Sequence, residues 1–205
     1  MAAGASTLAM MAVFSGLSMN LVLQFGLGLK ELVAEEHSEA AKKAGTKVVL
    51  AGLGILFLSI VFLWLFFSLF RSLPVGLVEY MLLFPASYLL FSALEYLANR
   101  FAAIQSIKDI FVFWNVLRST ALVTAALFIT LNVAGTLAEA AVLSLGFTAG
   151  VALAVAIAGE IRRRSQMEAV PRFLRGGPLA LVSLGLLSLV FSSTALMFFE
   201  VLGAR

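Results

Sequence analysis

The chain has 205 residues, of which 62% are hydrophobic and 12% charged, with a formal net charge of +3 and a mean hydropathy of +1.07. A soluble domain carries about 25% charged residues, so this chain has too little polar surface to cover a globule in water, and lipid is its expected solvent. There is no cysteine, which excludes disulfides, thiolate metal sites and thiol catalysis, and a single histidine leaves little for hydrolytic chemistry. The basic residues lie between the apolar stretches, so the charge reads as a topology signal and not as a nucleic-acid footprint.

A spanning helix needs ~20 mostly apolar residues. The first predicted span is Thr7–Leu27, within a segment that has no charge before Lys30 and so lacks the basic start of a signal peptide. It carries Asn20 and Gln24 four residues apart on one helical face, then Gly26 and Gly28. Two amides and two glycines within a span predict a helix that breaks before it crosses. Such backbone is tolerated at membrane depth only against protein or a water-filled cavity. The competing reading is helix packing, with glycines for close approach and amides bonded across.

The run Glu31, Glu35, Glu36, His37, Glu39, Lys42, Lys43, Lys47 reads as a salt-bridged amphipathic lead-in rather than a metal cluster. Span 2 is Val48–Phe70, without a charge. Span 3 is Leu73–Leu94, with Glu79 inside it and Glu95 at its end. Span 4 is Ile110–Leu131, with Asn115, Arg118, Ser119, Thr120 and Thr124 as a polar stretch. An arginine at a helix centre costs at least ~2.5 kcal/mol by insertion scales, so Arg118 is expected to pair with Glu79, Glu95 or Glu139 inside the bundle, or to snorkel to the interface. Span 5 is Ala140–Gly159 and span 6 is Gly176–Phe199, ending at Glu200. Glu95 and Glu200 read as solvated helix ends. Arg162, Arg163, Arg164, Arg172 and Arg175 form a candidate docking or anionic-lipid patch, or a topology determinant alone. No phosphate loop, dinucleotide fingerprint or zinc-protease motif stands in a fitting context.

The chain also reads as one half written twice. Arg71, Pro74, Leu77 and Val78 recur at the same spacing as Arg175, Pro178, Leu181 and Val182, and Glu39-Ala40-Ala41 as Glu139-Ala140-Ala141. The expected fold is therefore an all-α membrane protein, a single domain of six transmembrane helices built as residues 1–100 and 101–205. The loops after spans 1, 3 and 5 hold 11 of the 14 basic residues and the other side holds Arg71 and Arg205. The positive-inside rule then places the basic loops in the cytoplasm and both termini outside. Three spans per half is an odd number, so the second half enters from the opposite side and the 3+3 repeat is of inverted topology, the ground plan of many transporters.

The segment Ala158-Gly159-Glu160-Ile161-Arg162-Arg163-Arg164, followed by Glu168-Ala169-Val170-Pro171-Arg172-Phe173-Leu174-Arg175-Gly176-Gly177-Pro178-Leu179-Ala180-Leu181-Val182, resembles the signature of the Rnf/Nqr integral-membrane subunits. Asn20 leading to Leu27-Gly28-Leu29-Lys30 resembles that family's first half-helix, and the type with termini outside, called A in Rnf and E in Nqr, is the nearest in charge pattern. The resemblance implies a membrane subunit of a redox-linked, ion-translocating complex in a bacterial-type inner membrane, working with a sister inverted-repeat subunit or as a homodimer. It also implies a [2Fe–2S] cluster held by cysteines after helix 1 and within helix 4. Here those positions are Lys30, and Leu122 or Val123. Neither lysine nor hydrocarbon ligates cluster iron, so no cofactor is expected on this chain. The residues expected along a translocation path are Asn20, Gln24, Gly26, Gly28, Arg118, Ser119, Thr120 and Glu79, with spans 1 and 4, the first of each half, interrupted at matching depths and facing each other at the pseudo-two-fold axis. Two alternatives stand beside this reading: a stand-alone or dimeric transporter on the same scaffold, and a non-catalytic assembly subunit.

Overall fold

The computed structural model describes residues 4–27, 46–70, 77–100, 120–167, 171 and 177–203. Among them every regular element is helical. These are α1 (Ala5–Val13), continued by a π-helical turn (Phe14–Ser18), α2 (Thr46–Phe70), α3 (Leu77–Arg100), α4 (Thr120–Val133), α5 (Leu137–Met167) and α6 (Gly177–Gly203). The helical content follows from long runs of Leu, Ala, Phe and Val with few breakers. Pro85 lies inside α3, where it leaves the Met81 carbonyl without its donor four residues on.

Among the described residues, two helices are long and apolar enough to cross a membrane, over Val49–Leu69 and Leu137–Ile161. The apolar parts described in the others are shorter: Ala5–Ser18, Met81–Leu90, Ala121–Val133 and Pro178–Ser193. The described helices depart from the expected spans at several of their ends. The first stops at Ser18 instead of running to Leu27; α3 continues to Arg100; α5 extends beyond Ala140–Gly159 at both ends; and the start of span 4 lies outside the described residues. At 31 residues, α5 is about 46 Å long, which carries its last turns beyond a ~30 Å hydrocarbon layer.

The centre of the bundle is where α2, α4 and α5 meet. Leu56, Ile60, Leu127, Leu143, Phe147 and Val151 are fully buried there. α1 and its π turn pack on α5, the π turn packs on α6, α2 packs on α4 and α5, and α3 packs on α4. Large apolar side chains also cover the outside: Leu58, Phe62 and Leu69 on α2, Met81 and Leu89 on α3, Leu186 and Leu189 on α6. So many exposed large apolar side chains fit a surface that meets lipid or a partner.

Candidate functional site: the interrupted first helix

The first helix ends in three steps. Ser15 turns its hydroxyl back onto the Met11 carbonyl at 2.8 Å and the Ala12 carbonyl at 3.2 Å, a local bond that competes with the helical ladder. The ladder then widens, with the Met19 amide donating to the Phe14 carbonyl at 2.8 Å, one residue further back than in an α-helix. Met19 leaves helical geometry altogether at φ −111°, ψ 45°.

Asn20 makes the break tolerable. Its Oδ1 accepts from the Val22 amide at 3.1 Å and the Leu23 amide at 3.0 Å, as an N-cap does. Its Nδ2 donates to the Gly150 carbonyl of α5 at 2.9 Å and to the Gly16 carbonyl at 3.3 Å. The side chain is 1% exposed, and both donors and both lone pairs of its amide are used. A single turn follows, in which the Gln24 amide donates to the Asn20 carbonyl and the Gly26 amide to the Val22 carbonyl. Gly26 closes it at φ +68°, the left-handed geometry glycine adopts without cost.

Gly146 and Gly150 of α5 let this segment in. A methyl group added at Gly146 would overlap Ser15 Oγ and lie 2.7 Å from the Ala12 carbonyl; one at Gly150 would lie 2.8 Å from the Gly16 carbonyl. Ala12, Gly16 and Asn20 on one side, and Gly146 and Gly150 on the other, are each four residues apart, so two small-residue faces meet backbone to backbone. The packing role of Asn20 and the helix break are therefore one arrangement, whereas the sequence posed them as alternatives.

Gln24 differs. Its Oε1 is shielded from solvent and has no hydrogen-bond partner among the described residues, a state shared there with Trp64 Nε1 of α2. No ionisable side chain precedes Lys30 in the sequence, so the first helix itself carries no side-chain charge up to the break.

The remaining predicted residues separate. Glu79 and Thr120 lie on helical backbone in α3 and α4, with side chains outside the described residues; Gly28, Arg118 and Ser119 lie wholly outside them. Thr124 has a packing contact: its hydroxyl is 3.0 Å from Ser87 Oγ, a hydrogen bond between α3 and α4, and Ser87 Oγ also lies 2.8 Å from the Phe84 carbonyl. Glu139, expected as an Arg118 partner, puts Oε2 on the Gly135 amide at 2.8 Å and the Thr136 amide at 3.3 Å, while Thr136 Oγ1 accepts from the Glu139 amide. That is a reciprocal capping box at the start of α5. In the basic patch, exposed Arg163 and Arg164 both bind Glu160, at 3.0 and 2.9 Å; the Arg162 side chain, Arg172 and Arg175 are outside the described residues.

The helix expected to face the first at an axis was span 4. In its described part, α4 is continuous and packs chiefly on α2 and α3, while the first helix takes α5 as its main neighbour. Leu122 and Val123, where the resembled family has a cluster cysteine, are hydrocarbon in the core, 2% and 0% exposed, and Lys30 lies outside the described residues. This donor set does not suit iron. The sequence reading missed Gly16, Gly146, Gly150 and Trp64. A glycine pair four apart within an apolar helix was the available signal for the second and third. No family model matches the chain, and no curated protein matches it.

Proposed function

We propose that this chain is an integral membrane subunit of an ion-translocating complex of the Rnf/Nqr kind, with six spans in a 3+3 inverted repeat, both termini outside, and no iron–sulfur cluster of its own. The observation that carries the translocation role is the interruption of the first helix at buried Asn20, packed against α5. Irregular backbone inside a bundle, capped by side-chain amides, is how inverted-repeat transporters build ion sites.

The pairing of helices supports the repeat. Exchanging α1 with α4, α2 with α5 and α3 with α6 turns the α1–α5 packing into α4–α2, α3–α4 into α6–α1, and α2–α3 into α5–α6; it turns α2–α5 into itself. All of these packings occur, the α6–α1 one through the π-helical turn that continues α1. The α4–α5 packing lacks an image of similar extent among the described residues. The apolar outer faces of α2, α3 and α6 fit lipid or neighbouring subunits. The positive bias of the loops after spans 1, 3 and 5 sets the orientation in a bacterial-type inner membrane.

The alternative is a stand-alone or dimeric transporter on the same scaffold, and a third reading is a non-catalytic assembly subunit. Purification from the native membrane in mild detergent separates the first two. A sister membrane subunit carrying cysteines, recovered in stoichiometric amount, supports the complex; a homodimer alone contradicts it and leaves the transporter.

A further inference from the structure

We propose that the end of α5 is a binding site for anionic phospholipid, with the guanidiniums of Arg163 and Arg164 meeting the headgroup phosphate just beyond the hydrocarbon layer. This site is independent of the interrupted first helix and of any translocation role.

The net charge of the chain sits in one place. From Glu160 to Arg175 there are five arginines and two glutamates, and the rest of the chain holds nine basic and nine acidic residues. The lead-in from Lys30 to Lys47 is the contrast, with four lysines balanced by four glutamates. The positive-inside rule counts lysine and arginine and takes little account of acids, so both segments serve it alike. An anionic surface responds to net charge instead, and only the segment after span 5 offers a surplus of that size. The kind of base differs as well. All five lysines lie before Asp109, whereas every base from Arg162 to Arg175 is arginine. The guanidinium fork matches phosphate oxygens in a way that the point charge of lysine does not.

The depth is set by α5. Glu139 caps its start, and Glu160 lies 21 residues further on. That is about 32 Å along the axis, close to the ~30 Å of the hydrocarbon layer. Arg163 and Arg164 follow within the next turn of the same helix, which runs on to Met167, and so fall at headgroup level. Both side chains are exposed, at 70% and 68%. Glu160 gathers them: Arg163 Nε is 3.0 Å from its Oε2 and Arg164 Nε is 2.9 Å from its Oε1. One carboxylate faces two guanidiniums, so the trio keeps a positive charge. Held side by side, the two long side chains lose less entropy when a phosphate binds them.

The test is thermal unfolding of the purified full-length protein, with whatever subunits accompany it, in micelles of a non-ionic detergent. Phosphatidylglycerol or phosphatidylcholine of the same acyl chains is added at rising mole fraction. We expect a saturable rise in Tm with phosphatidylglycerol that phosphatidylcholine does not give, and that shrinks at high NaCl. Arg163→Gln with Arg164→Gln should raise the half-saturating mole fraction at least about fivefold. Arg163→Lys with Arg164→Lys, which keeps the charge and the topology signal, should raise it less. Lys42→Gln with Lys43→Gln removes as many positive charges from the balanced lead-in and should leave it where it was. Inorganic phosphate at equal ionic strength should not reproduce the rise. Equal Tm in the two lipids for the unaltered protein overturns the proposal and leaves the patch to an acidic protein partner or to topology alone. A rise given equally by inorganic phosphate, or an unaltered half-saturation in the glutamine pair, overturns it too. Should the glutamine pair fail to fold, an unaltered half-saturation in the lysine pair has the same force.

Discussion

The break at Met19–Gly26 and the join at Ala134–Glu139 solve the same local problem in different settings. Each interrupts helical backbone, and each satisfies the freed amides with a side-chain oxygen, Asn20 Oδ1 in one and Glu139 Oε2 in the other. At the join, the bonds run among Gly135, Thr136 and Glu139 and stay within one turn. At the break, the capping residue also reaches 130 positions along the chain to the Gly150 carbonyl, and the glycines of α5 hold it there. A cap that only starts a helix is a local device. A cap that is bonded to another helix fixes where in the bundle the interruption lies.

The strongest way to break this contrast is to fill the contact. Gly150→Val puts side-chain carbon against the Gly16 carbonyl and Asn20 Nδ2, and backbone cannot yield as a side-chain end can. We expect a loss of about 3 kcal/mol in reversible unfolding from mixed micelles, or failure to fold. Gly159→Val is the control, since a side chain there meets nothing within 4 Å. Next in size is Asn20→Ala, which leaves the Val22 and Leu23 amides without acceptors inside the bundle; the expected loss is about 2 kcal/mol. A double-mutant cycle of Asn20→Ala with Gly150→Ala should show coupling, because the two residues touch.

The local cap should cost less. Glu139→Ala removes the acceptor for Gly135 and Thr136 at a helix start, and about 1 kcal/mol is the usual loss for such a cap. Additivity with Asn20→Ala would show that the break and the join are independent. The smallest effect belongs to Glu160→Gln. It removes the ion pairs to exposed Arg163 and Arg164, and exposed pairs on one helix contribute little, so no measurable change in unfolding is expected.

What could be read from the sequence divides along the same line. The break was legible because amides and glycines inside an apolar run have few other uses, and it came at Met19–Gly26, within the segment those residues marked. The long apolar helices α2 and α5 were legible from composition alone. Which helix receives the break was not legible. The duplicated pattern pointed to span 4, but a close approach is decided by where two glycines face each other, and Gly146 and Gly150 stand on α5. The different fates of Asn20 and Gln24 were equally hidden, since spacing puts both on one face and only the bonds distinguish them. Glu139 shows the reverse: its capping box with Thr136 is a four-residue pattern readable in advance, yet the acid drew notice as a charge partner.

The proposed six-span arrangement, with halves that cross the membrane in opposite senses, is directly testable because the sequence contains no cysteine. Single cysteines at Ala44, Ser72, Ser106, Gly135, Gln166 and Ala204 would each be treated in intact cells with a membrane-impermeant maleimide. Labelling is expected at Ser72→Cys, Gly135→Cys and Ala204→Cys, and protection at Ala44→Cys, Ser106→Cys and Gln166→Cys until the membrane is opened. Labelling of Gln166→Cys from outside, or the same response from Ala44→Cys and Ser72→Cys, would contradict it.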